Sequence, residues 1–112
     1  MRLTTSIKNN YEFRRLYAKG KSAVSPLLAV YCRRNRKGQS QLGVTVGTKI
    51  GKAVKRNRVR RRLKEIYRQN EAGIRRGFDI VVAARVRSRE ASYQQLNADF
   101  LRLMDKLGLR ER

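Results

Sequence analysis

The sequence predicts a two-layer α+β domain in which helices pack against a single sheet. Three segments place apolar residues at helical spacing, and four shorter ones have the alternating or continuous apolar pattern of strands. In chain order these read helix, three strands, helix, strand, helix. No repeat or low-complexity linker divides the chain, so residues 1–112 form one predicted domain. A hydrophobic fraction of 40% is too high for a disordered basic tail.

The first predicted helix covers residues 11–19, after an asparagine cap at Asn9 or Asn10 and with Glu12 in its first turn. Gly20 is placed to end it. Its apolar face consists of Phe13, Leu16 and Tyr17.

Three strands are predicted next. Residues 21–24 form a short strand that stops at Ser25-Pro26, and residues 27–34 alternate, with Tyr31 on the face opposite Val30. A polar loop of hairpin type, residues 35–41, leads to a strand over residues 42–48. One face of that strand carries only Gly43, Thr45 and Gly47, so another group can approach its backbone closely.

The second predicted helix, residues 52–70, is strongly basic. Residues 49–68 read KIGKAVKRNRVRRRLKEIYR, with Glu65 as the only acid. The apolar stripe of the helix consists of Val59, Leu63 and Ile66 with Tyr67 beside it. The opposite side carries Asn57, Arg61, Lys64 and Arg68.

Such a row of cations indicates a polyanionic partner. The whole chain has 29 Lys plus Arg against 8 Asp plus Glu, a net charge of +21 and a pI near 11.6. Nucleic acid is therefore the leading partner, and an anionic membrane is a distant second. The alternative is a merely solvated face, although solubilising faces usually mix both signs.

The C-terminal part predicts a strand over residues 79–85, whose almost continuous apolar run indicates a central position. Ser92 and Gln95 form a capping box for the last helix, and Gly108 ends it. Its buried stripe consists of Tyr93, Leu96, Phe100, Leu103, Met104 and Leu107.

The residues argue against a stand-alone enzyme. The chain has no His, its acids are scattered, and no phosphate loop of Walker spacing is present. We therefore expect no catalytic residue and no metal ligand in the protein. The single cysteine, Cys32, reads as a packing residue. With no disulfide, no membrane-spanning run and no signal core, a cytoplasmic location is expected.

Three aromatic residues are candidate platforms for unpaired bases: Phe13, Tyr17 and Tyr31. Tyr31 is the best of them, because its neighbours on that strand face are small or charged. The alternative for Phe13 and Tyr17 is that they are ordinary core contacts of their helix.

Residues 49–64, KIGKAVKRNRVRRRLK, closely resemble the signature of the bacterial ribonuclease P protein subunit. The core of that signature is Arg-Asn-Arg, here Arg56-Asn57-Arg58, after a Gly-x-Ala-Val segment, here Gly51-Lys52-Ala53-Val54. The resemblance covers almost the whole chain, from Glu12-Phe13 to the helix that begins at Ser92.

The resemblance implies a four-stranded sheet with three helices and a left-handed βαβ crossover, against the usual right-handed rule. It implies an RNA-binding subunit of an endoribonuclease that removes the 5′ leader of precursor tRNA. The catalytic RNA, with Mg²⁺, would do the chemistry. The expected partners are ribonuclease P RNA and precursor tRNA, with no membrane and no required protein partner.

Charge pattern and resemblance together predict two sites. As the resemblance implies, Phe13, Tyr17 and Tyr31 would line a cleft for the single-stranded leader, and Arg62 is given no specific contact. The predicted RNA-binding residues are Lys49, Lys52, Lys55, Arg56, Asn57, Arg58, Arg60, Arg61, Lys64 and Arg68. Two other classes compete with this interpretation: a general RNA-binding protein such as a ribosomal component, and a nucleoid-type DNA-binding protein.

Overall fold

The computed structural model describes residues 4–7, 9–36 and 38–111. The strands are β1 (Thr4–Ser6), β2 (Lys21–Val24), β3 (Leu28–Arg34), β4 (Ser40–Val46) and β5 (Phe78–Ala84). The helices are α1 (Asn10–Lys19), α2 (Ala53–Asn70) and α3 (Tyr93–Lys106). Short 3-10 turns lie at Thr48–Ile50, Glu71–Gly73 and Val86–Glu90. The predicted α+β class and all seven predicted elements are confirmed.

The strands that the structure describes form one sheet of five in the order β1-β4-β5-β3-β2, so the predicted count of four is wrong. The missed strand is β1, which pairs in parallel with β4. It has only three residues and no apolar pattern of its own. Its position is set by tertiary contacts, such as the 3.0 Å hydrogen bond between Thr4 Oγ1 and Tyr67 Oη.

The predicted hairpin between β3 and β4 is also wrong, because β5 lies between these two strands. β5 runs antiparallel to β3 and parallel to β4. Its middle residues Ile80, Val81 and Val82 are buried, which confirms the predicted central position. In the centre of the sheet, both edges and both faces of the apolar strand β5 are covered. The free energy gained from this burial outweighs the preference for a hairpin that the short β3–β4 connection suggested.

Helix α2 connects the parallel strands β4 and β5 as a βαβ unit. The left-handedness of this crossover stays a prediction of the family resemblance.

Two hydrophobic clusters lie on opposite faces of the sheet. The larger one joins the alternate residues Leu28, Val30 and Cys32 of β3 to the buried stripes of α2 and α3. Burial raises the pKa of the Cys32 thiol, as expected for a packing residue. The smaller cluster joins Leu16 of α1 to Val81 of β5, so α1 covers part of the other face.

The predicted helix ends are confirmed in position, with two differences of mechanism. Asn9 is the N-cap of α1, but its side chain makes no capping hydrogen bond. In α3 the Ser92 and Gln95 capping box is complete, and Gly108 takes a left-handed φ of 70°. Gly20 ends α1 with a φ of −78°, so conformational freedom is not the reason for glycine there. A Cβ on Gly20 would lie 2.7 Å from Leu16 O and 2.8 Å from Cys32 O, so the reason is close backbone approach.

Candidate nucleic-acid interface

The exposed side of α2 presents the predicted row of polar and basic residues to solvent: Asn57, Arg61, Lys64 and Arg68. The opposite side is buried in the larger cluster, with Val59, Leu63, Ile66 and Tyr67 at most 3% exposed. The helix is therefore fixed by its apolar stripe, and its basic side does not contribute to the core.

Little within α2 neutralises this charge. Arg68 Nε donates to Glu65 Oε2 at 3.0 Å, and this hydrogen bond lowers the pKa of Glu65 and raises the pKa of Arg68. Because the pair is exposed, it contributes little to stability and leaves Arg68 available to another acceptor. Arg60 Nη1 donates to Asn57 Oδ1 at 2.9 Å, which orients the amide at the centre of the motif.

The beginning of α2 also favours an anion. Its first turn has no acidic residue, and Lys52 at the N-cap gives no side-chain cap. Lys49, Lys52 and Lys55 are all exposed around this end. Lysine charges at the positive end of a helix dipole are unfavourable by themselves. A bound phosphate would offset both the lysine charges and the dipole.

Arg56 and Arg62 differ from the exposed residues. Arg56 is half-buried, and its Nε has no hydrogen-bond partner among the described residues. Arg58, by contrast, is exposed. Arg62 Nη1 donates to Ala91 O at 3.2 Å and so ties α2 to the segment before α3. Giving Arg62 no RNA contact agrees with this structural role.

The three predicted stacking residues come together on the opposite face of the sheet. The Tyr17 and Tyr31 rings meet edge to face with centroids 4.8 Å apart. Phe13 lies over Gly43, where an added Cβ would be 2.5 Å from Phe13 Cε1. The sparse face of β4 therefore accommodates the Phe13 ring. The Gly43 and Thr45 pattern predicted a close approach to this face, but not that Phe13 makes it.

These aromatic residues both pack and remain accessible. Tyr17 is 43% exposed, and its hydroxyl lies 3.3 Å from Thr45 Oγ1, a partner that the sequence did not suggest. Phe13 and Tyr31 are half-buried against the smaller cluster. The three rings are therefore neither fully buried core residues nor fully exposed stacking surfaces. We call Phe13, Tyr17 and Tyr31 with Thr45 the aromatic cleft.

In the part of the chain that the structure describes, no three His, Cys, Asp or Glu side chains group as they would around a metal ion. None of its helices has the length and apolar character needed to span a bilayer.

The comparisons to known proteins agree with this fold. A family model described as Ribonuclease P matches residues 1–108. The chain belongs to the ribonuclease P protein family. Membership gives it the role of a ribonuclease P protein subunit in tRNA 5′ leader processing, working with ribonuclease P RNA.

Relatives support this membership over nearly their whole length. The ribonuclease P protein component of Clostridium kluyveri is 43% identical over 105 residues, covering 92% of this chain and 94% of the relative. That of Clostridium botulinum strain 657 is 40% identical over 104 residues, with the same coverage. The solved RNase P protein of Staphylococcus aureus superposes with a TM-score of 0.87 at 28% identity, covering 95% of this chain and 97% of that one. The protein from Thermotoga maritima gives 0.79 at 31% identity, covering 87% and 92%.

Proposed function

We propose that the chain binds ribonuclease P RNA through α2 and holds the precursor-tRNA leader in the aromatic cleft. The observation that carries this proposal is the position of the two surfaces on opposite faces of one sheet. Two RNA molecules can be contacted at once in this arrangement without competing for the same side chains.

The division of labour follows from the side chains available. Arg58, Arg61 and Lys64 supply exposed cations for phosphates, and the aromatic rings supply faces for unpaired bases. With no histidine in the chain, the protein lacks the commonest neutral-pH acid and base. We therefore place the cleavage chemistry, and its Mg²⁺, in the catalytic RNA, and we place the complex in the cytoplasm.

Cleavage of precursor tRNA tests this proposal. The protein alone should leave precursor tRNA intact. Added to the catalytic RNA at low Mg²⁺, it should raise the cleavage rate, because its cations reduce repulsion between the two RNAs. Site-specific cleavage by RNA-free protein would contradict the assignment of chemistry to the RNA.

The motif is tested by replacing Arg56, Asn57 and Arg58 with alanine together. Affinity for the catalytic RNA should fall by several kcal/mol, at about 1.5–3 kcal/mol for each charge-assisted contact. The salt dependence of binding should flatten as fewer counterions are released. Normal binding of the triple variant at moderate salt would remove the motif from the interface.

A further inference from the structure

A second basic site lies on the far side of α1 from the aromatic cleft. A pocket of about 520 Å³ opens between α1 and the C-terminal end of β3. Four of its nine lining residues are arginines: Arg15, Arg33, Arg34 and Arg36. We call this the Arg33 pocket.

Helix and strand spacing separate the Arg33 pocket from the aromatic cleft while keeping the two close. Phe13 and Tyr17 follow one row of α1, whereas Tyr11 and Arg15 follow another row. On β3, Tyr31 and Arg33 share one face and are two residues, or about 7 Å, apart. The pocket is thus a distinct site on the same face of the sheet.

One donor atom of the Arg33 side chain has no acceptor in the part of the chain that the structure describes. Arg33 Nη1 is buried and makes no hydrogen bond among the described residues. Asp79 is the direct neighbour of Arg33 in the β3–β5 register, and its Oδ1 accepts a hydrogen bond from Asn35 Nδ2 at 2.9 Å. A buried donor without an acceptor costs free energy, and a rotation of the Arg33 side chain that brings Nη1 to the pocket opening would let an oxyanion supply that acceptor.

The chemistry of the lining selects phosphate within RNA. Arginines outnumber the lining carboxylates, Glu12 and Asp79, by four to two. The planar guanidinium group matches phosphate oxygens in a bidentate manner. Tyr11 lies on the pocket wall and is 63% exposed, so its ring offers a stacking face for the base beside that phosphate.

We propose that the Arg33 pocket binds a phosphodiester of an RNA strand, as a third RNA contact besides α2 and the aromatic cleft. This proposal depends on the proposed function in one respect: the protein has to work within a complex that contains RNA. The phosphate belongs either to the precursor-tRNA leader or to the catalytic RNA.

The test compares Arg33→Gln and Arg36→Gln with Lys106→Gln, which removes one equal charge from the exposed end of α3. Binding is measured for catalytic RNA with free protein, and for precursor and mature tRNA with the reconstituted complex. Each pocket variant should weaken binding of one RNA about tenfold, the size of one lost charge-assisted contact. The slope of log affinity against log salt should fall by about 0.7 for a single-stranded phosphate and about 0.9 for a duplex one.

A loss for precursor but not mature tRNA identifies a leader phosphate, and a loss for catalytic RNA identifies that molecule instead. Affinities within twofold of Lys106→Gln for all three RNAs would overturn the proposal. If Arg33→Gln melts early, the exposed loop variant Arg36→Gln decides alone. If the wild-type protein binds both RNAs and activates cleavage normally, and the pocket variants behave like Lys106→Gln, only the proposal for the Arg33 pocket is contradicted. Wild-type protein that binds neither RNA defeats the proposed function as well.

Discussion

At the scale of a single residue, Tyr31 is both packed and accessible. Its ring packs against the smaller cluster and meets Tyr17 edge to face, yet it remains only half-buried. Truncating it removes a packing contact as well as a stacking face. A leader-specific measurement is therefore needed to separate the two effects.

Tyr31→Ala should lower the affinity of the reconstituted complex for precursor tRNA by about 1–3 kcal/mol, because one base loses its stacking partner. Affinity for mature tRNA should hardly change. The free energy of unfolding should fall by less than the roughly 3–5 kcal/mol of a fully buried aromatic residue.

Tyr31→Phe is the matched control, since it keeps the ring and should keep leader affinity. Binding curves for the two tRNAs, together with melting curves, provide the measurement. Equal losses for both tRNAs in Tyr31→Ala would return this residue to a purely structural role.

Two glycines give a paired stability test at the same scale. Gly20→Ala should destabilise the fold by about 1–3 kcal/mol, because the new Cβ meets two backbone oxygens within 2.8 Å. Gly47→Ala meets nothing within 4 Å and has a φ of −74°, which alanine adopts readily. Gly47→Ala should stabilise the folded protein by about 0.4–1 kcal/mol, because alanine reduces the conformational entropy of the unfolded chain. Urea denaturation of both variants checks this, and similar destabilisation in the two would contradict it.

At the scale of an element, α2 carries two adjacent arginines in different surroundings. Arg61 is exposed, whereas Arg62 is half-buried and bonded to Ala91 O. From their positions on the helix we expect Arg61 to contribute to RNA binding and Arg62 to contribute to stability.

Arg61→Gln should weaken binding of the catalytic RNA by about 1.5–3 kcal/mol and leave the melting temperature unchanged. Arg62→Gln should cost about 0.5–1.5 kcal/mol of folding stability through loss of the Ala91 contact, with a smaller effect on affinity. Filter binding and thermal melts on both variants test this. The reverse pattern would show that the RNA approaches α2 from the side of α3.

At the scale of the whole molecule, the charge is large for the size of the protein. A net charge of +21 is carried by a molecule of about 36 × 31 × 24 Å. At 0.01 M salt the Debye length is about 30 Å, so charges across the whole protein repel one another. This repulsion destabilises the compact state until salt or RNA reduces it.

The melting temperature of the free protein should therefore rise between about 0.01 M and 0.1 M salt, where the Debye length falls to about 10 Å. A Lys64→Glu, Lys106→Glu double variant has a lower net charge and should show a smaller rise. Circular dichroism melts at several salt concentrations provide the measurement. A melting temperature independent of salt would show that the self-repulsion is negligible.

The elements and much of the candidate interface were predictable from local pattern. The apolar stripe of α2 and the Ser92 capping box depend on residues three or four positions apart, so their signals lie within one segment. The basic row followed from the same periodicity. The bare face of β4 likewise indicated a close approach, which Phe13 makes.

Contacts between distant segments decided the rest. The insertion of β5 between β3 and β4 and the addition of β1 depend on pairing across tens of residues, for which a single sequence has no local signal. The Arg33 pocket likewise depends on residues of α1 and of the end of β3, which are distant in sequence. The sequence by itself determined which segments are helical, which are extended and which side of each is charged. Only the tertiary structure decided which surfaces meet, because burial of apolar area is shared among elements and no one element determines it.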